Sequence, residues 1–167
     1  MPRSRLLIWS CLALISAMSS WPALADDPCP EPTQLHLAGS VQITNVGTMS
    51  LESCSTKENF IVCRLYLTWG GGGTREIPYG ADFTATKFVD NFYIDHTQVR
   101  GYFVNGRGDH AGAVTLSNGE TVCVKQEFGG AQADITNGKW VFINGRQSIK
   151  IQVDHPKSDL GPTSSAN

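Results

Sequence analysis

Residues 61–69 read IVCRLYLTW, a stretch in which large apolar side chains alternate with a second, mostly polar set. Successive side chains on a β-strand point to opposite faces, so this period of two predicts a half-buried strand. One face carries Ile61, Cys63, Leu65, Leu67 and Trp69, and the other carries Val62, Arg64, Tyr66 and Thr68. A helix would mix the two sets, because it has about 3.6 residues per turn. We therefore predict a strand with its first set in the core.

The same alternation runs through residues 34–51 and 99–104. Four Asn-Gly dipeptides follow, beginning at Asn105, Asn118, Asn137 and Asn144. Asn and Gly both tolerate the positive φ that two-residue type I′ turns need, so each dipeptide predicts a hairpin. Together these patterns predict an all-β fold with short hairpins, either a small antiparallel β-sandwich or a partly closed barrel.

The last two dipeptides also predict strand register. A two-residue turn at Asn144 places Trp140 opposite Ile149, and the same turn at Asn137 places Ile135 opposite Trp140. Both registers build one apolar face and hence a three-stranded meander. That face consists of Ala133, Ile135, Trp140, Phe142, Ile149 and Ile151.

The N-terminus has the three parts of a secretory signal. Arg3 and Arg5 precede an apolar run over residues 6–18, and the small-residue site Ala-Leu-Ala closes it at residues 23–25. We predict a cleavable signal peptide over residues 1–25, with an uncleaved anchor as the alternative. A Pro-rich leader at 26–33, a single β domain at 34–154 and a disordered tail at 155–167 should follow. The protein is expected to be exported, either to a periplasm or outside the cell.

Four cysteines remain after signal removal: Cys29, Cys54, Cys63 and Cys123. An even number in an exported chain predicts two disulfides. A two-residue turn at Asn118 would direct Cys123 inward, like Cys63, so the favoured pairing is Cys63 with Cys123 and Cys29 with Cys54. The competing bridge joins Cys54 to Cys63. No Cys-x-x-Cys or His-x-x-x-His spacing is present, so we predict no metal, and no cofactor fingerprint occurs either.

Charge disfavours several partners. The 13 basic residues include Arg3 and Arg5, so the mature chain keeps 11 against 15 acidic residues. These basic residues form no stripe along the sequence, and a nucleic-acid partner is therefore not expected. No integral membrane segment is predicted once the signal is removed.

Catalysis has weak support in the sequence. Three Asp-His dipeptides end at His96, His110 and His155. Adjacent strand residues point to opposite faces, so none of these aspartates can orient its neighbouring histidine. No nucleophile-elbow motif accompanies them. A small secreted hydrolase using His96 or His110 is the enzymatic alternative.

Several residues are candidates for binding. Tyr66 is out of phase with the core set of its strand and should be a surface aromatic. Trp69 and Tyr79 flank a run of four glycines at 70–73, where a ligand could approach the backbone. Arg107 and Asp109 belong to an Arg-Gly-Asp tripeptide that resembles the integrin-recognition motif. Because the sequence has no metal spacing, no nucleophile motif, no basic patch and no cofactor fingerprint, we predict an exported, non-catalytic β domain that recognises a macromolecule or glycan. A pilin- or adhesin-like structural subunit is the third interpretation.

Overall fold

The computed structural model describes Cys29 and residues 37–105, 107–143 and 146–155, without the side chains of residues 81 and 82. The predicted signal peptide lies outside the described residues. So do the leader apart from Cys29, the tail beyond His155, and the Asn144-Gly145 dipeptide.

The described chain is all-β, as the sequence predicts. Its one helical turn, α1 (Ala81–Thr84), begins where the backbone nitrogens of Phe83 and Thr84 donate to the carbonyl of Gly80. No helix in the described residues is long and apolar enough to cross a bilayer. The strands are β1 (Gly39–Ile43), β2 (Gly47–Lys57), β3 (Phe60–Trp69), β4 (Thr74–Pro78), β5 (Thr86–Asp90), β6 (Asp95–Val104), β7 (His110–Ala111), β8 (Ala113–Ser117), β9 (Thr121–Gly129), β10 (Asn137–Phe142) and β11 (Gln147–Asp154).

Seven strands form a closed barrel. Their order is β2-β11-β10-β5-β6-β9-β3, and β3 pairs back with β2. Six of these seven neighbouring pairs are antiparallel. The parallel pair, β2 with β11, sets Val153 beside Cys54 and Asp154 beside Ser55. Strands β1 and β7 extend the barrel at β2 and β6, while β4 and β8 form a separate two-stranded ribbon.

The core fills the barrel as the alternation in β3 predicts. All five residues of its predicted inner set are buried, and inward residues of β9 lie opposite them, with Val124 facing Leu65 and Phe128 facing Ile61. Phe88, Trp140 and Ile135 are also fully buried. Burial of large apolar side chains on this scale supplies the main force for closure of the barrel.

One amide lies inside this apolar core and is fully hydrogen-bonded. Gln126 is 0 % exposed, and its side-chain oxygen accepts from the Trp140 indole nitrogen at 2.7 Å. Its side-chain nitrogen donates to the Phe83 carbonyl and to the Tyr79 hydroxyl, both at 3.0 Å. A buried amide is tolerated only where its hydrogen bonds are satisfied, so Gln126 fixes the orientation of the side chains around it.

The predicted hairpin around Asn144 is confirmed by its strand register. Trp140 lies opposite Ile149, and Phe142 lies opposite Gln147. The dipeptide at Asn137 is a different case and corrects our prediction, because it begins β10 instead of making a turn. Gly138 is needed there for close packing, since a Cβ at this position would lie 2.4 Å from the Phe88 ring. The predicted meander is therefore wrong: β10 pairs with β11 on one side and with β5 on the other.

The other two dipeptides also depart from two-residue hairpins. Gly119 has a φ of 85° and lies in a turn, as predicted. The Glu120 nitrogen closes this turn by donating to the Ser117 carbonyl at 2.9 Å. The strands on either side diverge, because β8 pairs with β4 while β9 joins β3 and β6. At Asn105 the connection is a five-residue loop, since Val104 pairs with His110.

Two disulfides link Cys54 to Cys63 and Cys29 to Cys123, so the favoured pairing was wrong and the competing bridge forms. The β2–β3 register places Cys54 directly opposite Cys63, with their Cα atoms 4.1 Å apart. Cys123 lies on the outer face of β9 opposite Tyr66, where the inward Cys63 cannot reach it. Two intramolecular disulfides are typical of proteins in oxidising compartments outside the cytosol.

Candidate binding groove

The connection between β5 and β6 is a tight turn organised by a buried carboxylate. One side-chain oxygen of Asp90 accepts from the backbone nitrogens of Phe92 and Ile94, at 2.8 and 2.9 Å. Its other oxygen lies 2.9 Å from Nε2 of His96, and Nδ1 of the same ring lies 2.9 Å from the Gly129 carbonyl. Burial alone would raise the pKa of Asp90, but these hydrogen bonds outweigh it and hold that pKa below its ordinary value. The turn is therefore fixed to the barrel at its base.

Three consecutive apolar residues project from this fixed turn. The exposed fractions are 49 % for Phe92, 86 % for Tyr93 and 46 % for Ile94. Tyr93 also has a positive φ of 64°, which a bulky L-residue adopts only where its surroundings impose it. Exposed apolar clusters on rigid elements are typical of binding surfaces.

A groove of about 480 Å³ opens beside Tyr93. The turn forms one wall, and residues of β5, β10 and β11 form the rest. Asn137 and Gln152 are direct partners across β10 and β11, and Val89 supplies an apolar patch. The lining residues are Val89, Asp90, Asn91, Tyr93, Asn137, Gly138, Lys139, Lys150, Ile151 and Gln152.

Two lysines face each other across the groove. Lys139 on β10 is the direct register partner of Lys150 on β11, and both are exposed. Within the described ranges neither ammonium group has an ion pair. The row continues from Lys139 to Val89 and then to Asp95, whose carboxylate is already paired with Lys87. The groove thus combines an aromatic ring, opposed amides and two cations.

A second cavity, of about 440 Å³, is lined by β4 and by the β1–β2 turn, and one of the predicted residues, Trp69, also lines it. The Trp69 ring is nearly buried, and its indole nitrogen donates to the Gly73 carbonyl at 3.3 Å. The Arg75 guanidinium lies over the same ring, 5.9 Å from its centroid. Trp69 therefore has little exposed surface beside the glycine run.

The two predicted binding tyrosines, Tyr66 and Tyr79, are largely withdrawn from solvent. Tyr66 lies on the outer face as predicted, but it is only 3 % exposed because it packs with Tyr102, Val104, Cys123 and Cys29. Burial raises the pKa of Tyr66 to about 12.

Tyr79 is half-buried, and its hydroxyl accepts from the side-chain amides of Gln98 and Gln126. Burial raises its pKa to about 12 as well. The structure thus gives the Tyr79 hydroxyl a structural role in the polar network at the core.

Arg107 and Asp109 are both exposed on the loop between β6 and β7. This loop is tightly folded: the side-chain oxygen of Asn105 accepts from the backbone nitrogens of both residues at 2.9 Å. The Asn105 amide also donates to the Asp109 carboxylate at 3.2 Å. Neither Arg107 nor Asp109 lies in the groove.

The two candidate catalytic histidines occupy different environments and do not meet. His96 is buried with both ring nitrogens held by acceptors, so neither nitrogen is free to act on a substrate. His110 stacks on Tyr102 with ring centroids 3.8 Å apart.

The sequence did contain a signal for the groove. Asp90-Asn91 are typical of an Asx turn, in which a side chain accepts from the backbone two residues on, and three apolar residues follow directly. The opposition of Lys139 and Lys150 is also implicit in the register of the Asn144 hairpin. The sequence analysis did not single out the turn, because aromatic residues in a β-rich chain are usually packing residues.

Comparison with known proteins gives no assignment: no family model, no curated protein and no solved structure matches the chain.

Proposed function

We propose that the chain is an exported, non-catalytic binding domain that recognises a glycan, free or carried by a macromolecule of the cell envelope, in the groove beside Tyr93. The observation that supports this most directly is the rigid turn, which presents an almost fully exposed tyrosine ring at the edge of a cavity. Binding without chemistry needs such preorganised contact surfaces and no reactive group.

The composition of the groove favours a sugar. A tyrosine ring can pack against the apolar face of a pyranose, while paired amides satisfy its hydroxyl groups. Asn137 and Gln152 provide such amides, opposite each other and within the same groove as Tyr93. The volume of the groove lies within the range of roughly 300–1,000 Å³ that is usual for small-ligand sites.

The two alternative functions have weaker support. A hydrolase would need His96 or His110 to be free, whereas the first is held on both nitrogens and the second is stacked on a ring. A subunit that accepts a donor strand would need a gap in its sheet. The seven-strand ring of the described residues is closed by the β2–β11 pair.

A glycan microarray tests the proposal with the oxidised protein and two variants. Tyr93→Ala removes the exposed ring, and Ile143→Ala is the matched control, because Ile143 is 50 % exposed at the opposite end of β10. We expect the native protein and I143A to retain the same glycans, and Y93A to lose at least tenfold in apparent affinity. Absence of binding to every glycan, or equal retention by Y93A, would overturn the proposal.

A further inference from the structure

We infer that the ligand carries a carboxylate, and that the groove is a receptor for a uronic acid unit whose charge lies between Lys139 and Lys150. This inference rests on the proposed glycan site and specifies its substrate class.

The positions of the lysines support an anionic ligand. Residues directly opposite each other on antiparallel strands have Cβ atoms about 4.5–5.5 Å apart, so the two ammonium groups can both reach one carboxylate. The nearest acid in the same row, Asp95, is two strands from Lys139, which is about 10 Å at the usual strand spacing, and it is paired with Lys87. That row therefore holds no anion that competes with a ligand carboxylate, and the Asp90 carboxylate, which also lines the groove, is already held by His96 and by the turn nitrogens of Phe92 and Ile94.

The pair is also unfavourable for folding. Like charges directly opposite on neighbouring strands destabilise a sheet, whereas opposite charges stabilise it. A glutamate at either position would make a cross-strand ion pair, yet lysine is present at both. A residue pair that lowers the stability of the folded state without improving its packing is typical of binding sites, because such residues are retained for their contacts with the ligand.

The neighbouring groups favour a single acidic sugar over an extended polyanion. The opposed lysines form a local pair, whereas the mature chain is acidic overall and would repel a long run of negative charge. Tyr93 and the amides of Asn137 and Gln152 line the same cavity and can hold the uncharged part of the ring. Opposed cations, an aromatic platform and amides together match the chemistry of a uronic acid residue.

The test compares acidic and neutral ligands with matched backbones. The probes are tetragalacturonic acid with its methyl ester, and a glucuronate-containing hyaluronan tetrasaccharide with its carboxyl-reduced form, measured by calorimetry at two salt concentrations. The variants are Lys139→Ala and Lys150→Glu, with Lys57→Glu as a control on the exposed end of β2. Vesicles of phosphatidylglycerol are included as a separate arm, because exposed apolar residues beside lysines could also contact a lipid surface.

We expect at least one acidic probe to bind at least tenfold more tightly than its neutral partner, with affinity falling as salt rises. K139A and K150E should each lose at least tenfold in that affinity, and K57E should lose none. K150E should keep or raise the melting temperature, which separates lost binding from lost folding.

Equal affinity for an acidic probe and its neutral partner, or full retention by K150E, would overturn the carboxylate assignment while leaving the glycan proposal in place. Failure of all four saccharides to bind would overturn the uronic acid assignment, whereas the glycan proposal falls only if every glycan on the array also fails to bind. Binding to vesicles alone, abolished by Tyr93→Ala, would identify the turn as a membrane contact and overturn both.

Discussion

Replacing Gln126 by methionine is expected to destabilise the barrel by leaving two buried polar groups without hydrogen-bond partners. Methionine has nearly the length of glutamine and leaves little cavity, so the effect should come from hydrogen bonds. Gln126 makes contacts to Trp140, Phe83 and Tyr79, and a weaker one at 3.3 Å from the Thr86 hydroxyl.

Two of these four partners keep another contact in the variant. The Tyr79 hydroxyl still accepts from Gln98 at 2.7 Å, and the Thr86 hydroxyl still donates its one hydrogen to the Gln98 oxygen. The Phe83 carbonyl loses its amide donor, because the Thr86 hydroxyl 3.5 Å away has no second hydrogen to donate. The indole N–H of Trp140 likewise has no other hydrogen bond among the described contacts. A buried polar group left without a partner costs about 1–3 kcal/mol, so we expect Q126M to lose about 2–4 kcal/mol in the free energy of unfolding.

Urea denaturation of the oxidised protein measures this loss, with Gln132→Met as the control at an exposed position. The control should change stability by less than about 0.5 kcal/mol. A double-mutant cycle with Trp140→Phe isolates the hydrogen bond, and the coupling energy should be about 1–2 kcal/mol. A loss below about 0.5 kcal/mol for Q126M, or an additive cycle, would refute the reasoning, because it would show that the bond contributes nothing.

The remaining predictions concern the disulfides and the turn. Cleavage after glutamate places each cysteine on a separate peptide, and a non-reducing map should return Cys54 with Cys63 and Cys29 with Cys123; any other linked pair contradicts the described register. Asp90→Asn should lower the free energy of unfolding at pH 7 by about 2–3 kcal/mol, because charged hydrogen bonds to the turn are lost. The folded pKa of Asp90 is depressed, so its contribution is complete above the ordinary value of about 3.9 and is lost as pH falls through the folded value. Urea curves from pH 7 to pH 2.5 should therefore converge for the native and D90N proteins, and a constant gap would contradict this assignment.

The sequence predicted a strand correctly where the alternation of side chains within that strand, or within one hairpin, was enough to identify its buried face. The alternation in β3 gives its inner and outer faces correctly, because a strand buried on one side must segregate its side chains. The Asn144 hairpin gives its register for a similar reason, since Trp140 and Ile149 have to share a face.

Long-range pairing was not predictable in this way. Asn137-Gly138 has the composition of a turn, but Gly138 serves to admit the Phe88 ring, a requirement set by a strand distant in sequence. Cys123 was placed inward by a hairpin between β8 and β9 that does not form, because β4 takes β8 as its partner. Prediction of the groove also requires the long-range strand pairing, since the walls of the groove come from the β5–β6 turn and from β10 and β11.

The parallel junction of β2 with β11 has a consequence for the order of folding. Val153 and Asp154, near the end of the described chain, pair with residues close to its start. A nascent chain lacking β11 would therefore have the other strands of the ring but an open seam along β2. Contacts between such distant residues require a large loop to close first, and they slow folding. We infer that the barrel closes only when β11 is present in the compartment where the chain folds, with the Cys54–Cys63 bridge holding β2 and β3 in register until then.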